Sequence, residues 1–218
     1  MGQTPEEFLN GVRDAKLVAI VRGTDSDAAV RTALSLMAEG FRYVEVALTT
    51  PNAADVIAAI RETAPDEAQV GAGTVLSIRD VADVVAAGAQ FIVTPALAES
   101  IGAAVRCGLP VLAGAYTPTE VLEGMNRGAT LVKLFPASVG GPRYLKALRD
   151  PFPDVPLVAV GGVGANDAKD YWDAGAVAVG PGSPLVGDAA SGTGNLDKLR
   201  ERARDYLRQA ADYSPAEG

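Results

Sequence analysis

Histidine is absent from all 218 residues, and that absence narrows the chemistry at once. A Ser-His-Asp or Cys-His device is impossible, so any general base must be a carboxylate, lysine, tyrosine or cysteine. A single cysteine, Cys107, leaves no internal disulfide framework and fits a reducing cytoplasm. It is expected to pack as a small apolar residue near a helix end. With neither histidines nor a cysteine cluster, a metal could be held only by oxygens, and nothing in the sequence calls for a metal or a cofactor. Basic runs are lacking too, and the net charge of −8 argues against nucleic acid as a partner. No apolar stretch approaches the ~20 residues of a membrane span. The start, Met1 to Glu6, lacks signal-peptide character, and Glu6 breaks the myristoylation pattern. The expectation is a cytoplasmic protein whose partner is a small molecule.

What is present is a repeated sentence of apolar run and amphipathic helix. A leading helix is expected over residues 5–14, with Phe8, Leu9 and Val12 on one side. Strands are expected at 17–21, 43–47, 69–71, 91–94, 110–113, 131–134, 157–160 and 176–179. Cap signals separate them: Thr24-x-x-Asp27, Thr50-Pro51, Ser77-x-x-Asp80 and Thr117-Pro118-Thr119-Glu120 open helices. Gly40, Gly88, Gly108, Gly128 and Gly175 close them. A further helix is expected from Pro142 to Arg149, a last one over 196–211, and a frayed tail over 212–218. Eight strands alternating with eight helices, nearly all strands continuously apolar, indicate a (β/α)8 TIM barrel with an additional N-terminal helix. A doubly wound open sheet is the alternative. Neither a linker nor a low-complexity tract interrupts the chain, so residues 1–218 read as one domain.

In such a barrel the strand C-termini carry function. Lys133 sits in Leu131-Val132-Lys133-Leu134-Phe135-Pro136, a run that reads as a buried strand stopped by proline. If Val132 and Leu134 face the helices, Lys133 turns inward. The same alternation in Val44-Glu45-Val46 turns Glu45 inward. Two opposite charges inside one barrel are either a buried structural pair or a catalytic pair. A lysine that sheds its proton there becomes a nucleophile able to form a Schiff base. Arg22 ends the first strand with inward parity, and its fork suits a carboxylate or phosphate. Thr74 follows Gly71-Ala72-Gly73, where glycines let a ligand approach the backbone. Gly161-Gly162 after the seventh strand and Gly180-Pro181-Gly182-Ser183 after the eighth fall where such barrels often bind phosphate.

Taken together, Val44-Glu45-Val46, Gly71-Ala72-Gly73-Thr74-Val75, Phe91-Ile92-Val93-Thr94-Pro95, Lys133-Leu134-Phe135-Pro136 and Gly161-Gly162 resemble the 2-keto-3-deoxy-6-phosphogluconate aldolase family. That family includes the 4-hydroxy-2-oxoglutarate and 6-phosphogalactonate aldolases, and the resemblance covers about residues 15 to 190. It implies a metal-free class I aldolase, commonly a homotrimer, that forms a Schiff base with pyruvate and takes phosphorylated keto acids. Lys133 would be the Schiff-base lysine and Glu45 the general acid/base. Arg22 and Thr74 would lie by the pyruvate carboxylate, Pro95 and Phe135 would wall the pocket, and Gly161, Gly162 and Ser183 would hold the phosphate. Many members carry an arginine four residues after the glutamate. Thr49 stands there in this chain, so any charge on the carboxylate must come from Arg22. Residues 141–147 look closer to the phosphogalactonate branch. A phosphosugar epimerase or isomerase on the same barrel, and a non-catalytic binder of phosphorylated metabolites, are the competing readings.

Overall fold

A computed structural model describes residues 2–214. Eight strands, β1 (Ala19–Val21), β2 (Tyr43–Ala47), β3 (Gln69–Gly73), β4 (Phe91–Val93), β5 (Val111–Ala115), β6 (Leu131–Leu134), β7 (Leu157–Val160) and β8 (Ala178–Gly180), pair in parallel and in sequence order. The ends meet as well. Val18 N–H donates to Val179 O, Ile20 N–H to Pro181 O and Val179 N–H to Lys16 O, each at 3.0 Å. That closure makes a (β/α)8 barrel and removes the open-sheet alternative, because no edge strand remains.

Ten helices surround the strands among the described residues: α1 (Pro5–Ala15), α2 (Ser26–Glu39), α3 (Ala53–Thr63), α4 (Ile78–Ala86), α5 (Ser100–Arg106), α6 (Pro118–Asn126), α7 (Ala137–Arg149), α8 (Ala165–Asp173), α9 (Ser183–Val186) and α10 (Leu196–Asp212). None of them is long and apolar enough to cross a membrane. The capping boxes read at Ser77 and Thr117 are formed, their hydroxyls accepting from Asp80 N–H and Glu120 N–H. Two other starts differ. Asp25, and not Thr24, caps α2, accepting from Ala28 N–H at 2.7 Å. Thr50 and Pro51 form a turn, and α3 begins after Asn52 in the left-handed region. The Thr50 hydroxyl accepts instead from Gly23 N–H, at 3.2 Å. α7 starts at Ala137 and breaks at Gly141, so Pro142 opens its second part as read from sequence. Cys107 does end a helix, but it is exposed there and not packed. Of the tail expected to fray, Asp212 still belongs to α10, and residues 215–218 lie outside the described residues.

Strand alternation sorts the apolar side chains into two cores. Val44, Val46, Val132 and Leu134 belong to the larger one, between sheet and helices. Ile20, Tyr43, Phe91, Leu112, Leu131 and Val158 fill the barrel interior together with Phe8 and Val12 of α1. Phe8 stacks edge-on against Tyr43 with centroids 5.2 Å apart and lies 4.9 Å from Phe91. The N-terminal helix therefore plugs the lower end of the barrel. The barrel interior is accessible from the upper end, where the strands finish.

Candidate active site

At the upper end the barrel opens into a cavity of about 560 Å3. Arg22, Thr74, Pro95, Lys133, Phe135, Gly161, Gly162 and Ser183 all line it, so residues from six strand ends converge as the sequence suggested. Thr49 does not line it. It is exposed in the turn after β2, because that turn folds Thr50, not Thr49, inward against the β1–α2 loop.

Glu45 lies beneath the cavity floor. It and Lys133 are 2% and 6% exposed, and Oε1 stands 3.9 Å from the lysine Nζ. The alternation of β2 and β6 turns both side chains inward, and register sets their height: Glu45 pairs with Ile20 and Gly71, Lys133 with Gly114 and Val158. Burial pushes the Glu45 carboxyl above its ordinary value of 4.5, against the pull of the Lys133 and Arg22 charges. A carboxyl so placed can hold a proton at a pH where an exposed glutamate has lost it, which suits general acid/base work. The Lys133 ammonium also sits 5.3 Å from the centroid of the Phe135 ring.

Gly73 proves to be part of this arrangement. A Cβ there would stand 2.6 Å from Glu45 Oε1, so the glycine makes room for the carboxylate. The sequence reading expected that glycine stretch to admit a ligand instead. Thr74, next in the chain, has φ 61°, a left-handed backbone uncommon for a β-branched residue, and such strain gathers at functional sites.

Arg22 is exposed at the mouth and, among the described residues, has no ion-pair partner. Its loop is held on two sides. Gly23 N–H reaches Thr50 Oγ1, and Thr24 N–H donates to Ala190 O at 3.0 Å. Thr50, which holds this loop without lining the cavity, gives no sign of that contact in the sequence, because Thr50-Pro51 reads locally as a helix start.

At the end of β7, two strands from β1 around the closed barrel, Gly161 and Gly162 take φ 97° and 75°. A side chain at Gly162 would meet Ser138 Oγ at 2.7 Å. Gly182, after the neighbouring β8, lines the cavity with them, and among the described residues the N–H groups of Gly162 and Gly182 have no partner within the chain. Ser183 starts α9, a four-residue helix too short to show a period in the sequence. Val160 and Ile20 complete the apolar wall between the two ends.

The cavity thus joins a buried lysine–carboxyl pair, one free guanidinium and a neutral rim of backbone donors. Known proteins resemble the chain in sequence and in fold. The model of the family described as KDPG and KHG aldolase matches residues 9–201. A 2-dehydro-3-deoxy-6-phosphogalactonate aldolase of Escherichia coli is 39% identical over 78% of this chain and 83% of its own. A KHG/KDPG aldolase of the same organism is 39% identical over 84% and 86%. The solved KDPG aldolase of Legionella pneumophila, with pyruvate captured at low pH as a covalent carbinolamine intermediate, superposes with a TM-score of 0.78 at 27% identity, covering 95% of this chain and 97% of that one. With the match spanning nearly the whole barrel and all strand ends that build the cavity, this chain belongs to the KDPG and KHG aldolase family.

Proposed function

We propose that this chain is a class I aldolase that reversibly cleaves a 2-keto-3-deoxy-6-phospho sugar acid into pyruvate and glyceraldehyde 3-phosphate. The observation that carries the reading is the Lys133–Glu45 pair, buried and 3.9 Å apart, with Lys133 lining the cavity and Glu45 beneath it. Lys133 Nζ adds to the C2 carbonyl, and the carbinolamine loses water to give an iminium. The C3–C4 bond then breaks with its electron pair drawn into the iminium, giving an enamine. Glu45 takes the C4 hydroxyl proton as the aldehyde forms, and returns a proton to C3 of the enamine. Water releases pyruvate from the lysine. Because the iminium is the electron sink, the bond cleavage asks for no Lewis acid.

Arg22 is the group for the pyruvate carboxylate, since Thr49 is turned away and the remaining cation of the cavity is Lys133 itself. Thr74, after β3, lies by the same carboxylate, and Pro95 and Phe135 wall the reacting carbons. The backbone donors of Gly161, Gly162 and Ser183 hold the phosphate at the far end, and 4-hydroxy-2-oxoglutarate, lacking a phosphate, is the smaller alternative substrate. The protein is placed in the cytoplasm on its single cysteine. A homotrimer is supported by Val85, Val105 and Leu122, exposed on the consecutive helices α4, α5 and α6. Light scattering should return three times the 22.3 kDa of the chain.

The test is borohydride reduction in the presence of pyruvate, followed by mass spectrometry. One adduct is expected, on Lys133. No adduct, or one on Lys16 or Lys146, would remove the mechanism and favour an epimerase or a binding protein on this barrel.

A further inference from the structure

The last helix packs on the outside of the barrel, and none of its residues lines the cavity. Its buried stripe is Leu199, Ala203, Tyr206 and Ala210, apolar but for one phenol. The Tyr206 hydroxyl is buried and donates to Val163 O at 2.7 Å. Val163 directly follows Gly161-Gly162. Burial pushes the phenol well above its ordinary value, so it remains a donor across the working pH range. One turn earlier, Arg202 donates through Nε to Leu185 O and through Nη2 to Val186 O, the latter at 2.9 Å. Those two carbonyls close α9, whose other end carries Gly182 and Ser183. Residues four apart share one side of a helix. A single side of α10 therefore reaches behind both loops of the neutral rim.

The loops need such support. Gly161 and Gly162 both take left-handed φ, and glycine backbones have little stiffness of their own. Donors aimed at a ligand lose effect when displaced by more than about 0.5 Å. Arg202 occupies two carbonyls with one planar fork, a geometry a lysine cannot reproduce. Its guanidinium also packs where α9 ends, 2.8 Å from where a Gly187 Cβ would be.

We propose that Arg202 and Tyr206 are positioning residues for the phosphate end of the substrate: α10 braces the strand-seven and strand-eight loops from behind and fixes the spacing between their N–H groups. This rests on the reading that those loops hold the phosphate.

The test uses full-length Tyr206→Phe and Arg202→Lys, which delete a hydroxyl and a fork while keeping ring and charge. Two quantities are compared with wild type: inhibition by inorganic phosphate competing with the phosphorylated substrate, and kcat/KM for that substrate against 4-hydroxy-2-oxoglutarate. The expected result is a roughly tenfold rise in the phosphate inhibition constant and in KM for the phosphorylated substrate, the scale of one charge-assisted hydrogen bond. The unphosphorylated substrate and the rate of pyruvate trapping on Lys133 should stay within about twofold. Equal losses on both substrates would make α10 a general scaffold, and unchanged phosphate inhibition would make the brace irrelevant. Either overturns the proposal. Failure of phosphate to compete in wild type would instead overturn the phosphate reading itself, and the brace with it. Melting temperatures identify a folding defect, and Arg202→Lys, on a half-buried side chain, keeps the comparison open if Tyr206→Phe is too unstable.

Discussion

Glu45 Oε1 and Lys133 Nζ stand 3.9 Å apart inside the barrel, within mutual influence but without a hydrogen bond between them. A pair so spaced leaves the amine free to reach a carbonyl carbon while the carboxyl stays close enough to move protons. Its cost is the burial of two ionisable groups, which is seldom offset by their mutual attraction alone.

Glu45→Gln conserves size and should fold, yet lower turnover by roughly 10²- to 10⁴-fold, the usual scale for losing a general acid/base. The acid limb of the wild-type kcat/KM profile should lie above 4.5, because burial raises this carboxyl, and the limb should vanish in the variant. Stability carries a matching sign. A carboxyl whose folded pKa exceeds its unfolded value adds stability that is complete below the unfolded value and lost as pH rises through the folded one. Melting temperatures of wild type should therefore fall relative to Glu45→Gln as pH rises from 4.5 upward. Near-normal turnover, or a pH-independent difference in melting, would reduce Glu45 to a structural partner of Lys133.

Gly73→Ala tests whether the room beside the carboxylate matters. The added Cβ would stand 2.6 Å from Oε1 and 2.9 Å from Cδ of Glu45, so the side chain must swing away. Overpacking of this kind costs about 1–3 kcal/mol, which a barrel of this size tolerates. Turnover should drop at least tenfold, with pyruvate still trapped on Lys133 but more slowly. A variant with unchanged kcat would show that the carboxylate has another productive position.

Much of this arrangement could be read from the chain. The inward turn of Glu45 and Lys133 follows from alternation alone, because both strands are buried on their two faces and a one-residue slip would expose valines or leucines to the wrong core. The caps at Ser77 and Thr117 were legible since each box closes within four residues. The misread starts have long-range causes. Thr50 resembles an N-cap, but its hydroxyl is taken by Gly23, 27 positions away. The box read at Thr24 does not form: Asp25 accepts from Ala28 N–H, and Thr24 N–H goes to Ala190 O and not to Asp27. Thr49 was placed in the site by its distance from Glu45 in sequence, and the turn that buries Thr50 points it out to solvent. Gly73 and Glu45 meet only across paired strands, a contact no local pattern announces.

Thr50 offers a test of how Arg22 is held. Thr50→Val keeps the shape of a residue that is 3% exposed but leaves Gly23 N–H without its acceptor. The loss of one such bond is worth about 1 kcal/mol, and it falls on the residue next to Arg22. KM for keto acid substrates should rise roughly fivefold to tenfold with kcat little changed, and Thr50→Ser should restore it. An equal fall in kcat, or no rescue by serine, would mean that the hydroxyl does not act through the arginine.

The two ends of the cavity can be separated with two variants and two substrates. Gly162→Val places a branched side chain at φ 75° and 2.7 Å from Ser138 Oγ, within the loop proposed to meet the phosphate. It should impair the phosphorylated substrate far more than 4-hydroxy-2-oxoglutarate, which has no phosphate to place, because remote binding energy positions the reacting bond. Arg22→Ala should weaken both substrates alike, since both carry the 2-keto acid carboxylate and Thr49 supplies no charge in its stead. Equal losses for the two substrates in Gly162→Val would mean that the strand-seven glycines shape the mouth generally and bind no phosphate. A loss confined to the phosphorylated substrate in Arg22→Ala would move the guanidinium to the phosphate end. The keto acid carboxylate would then rest on neutral donors near Thr74 alone.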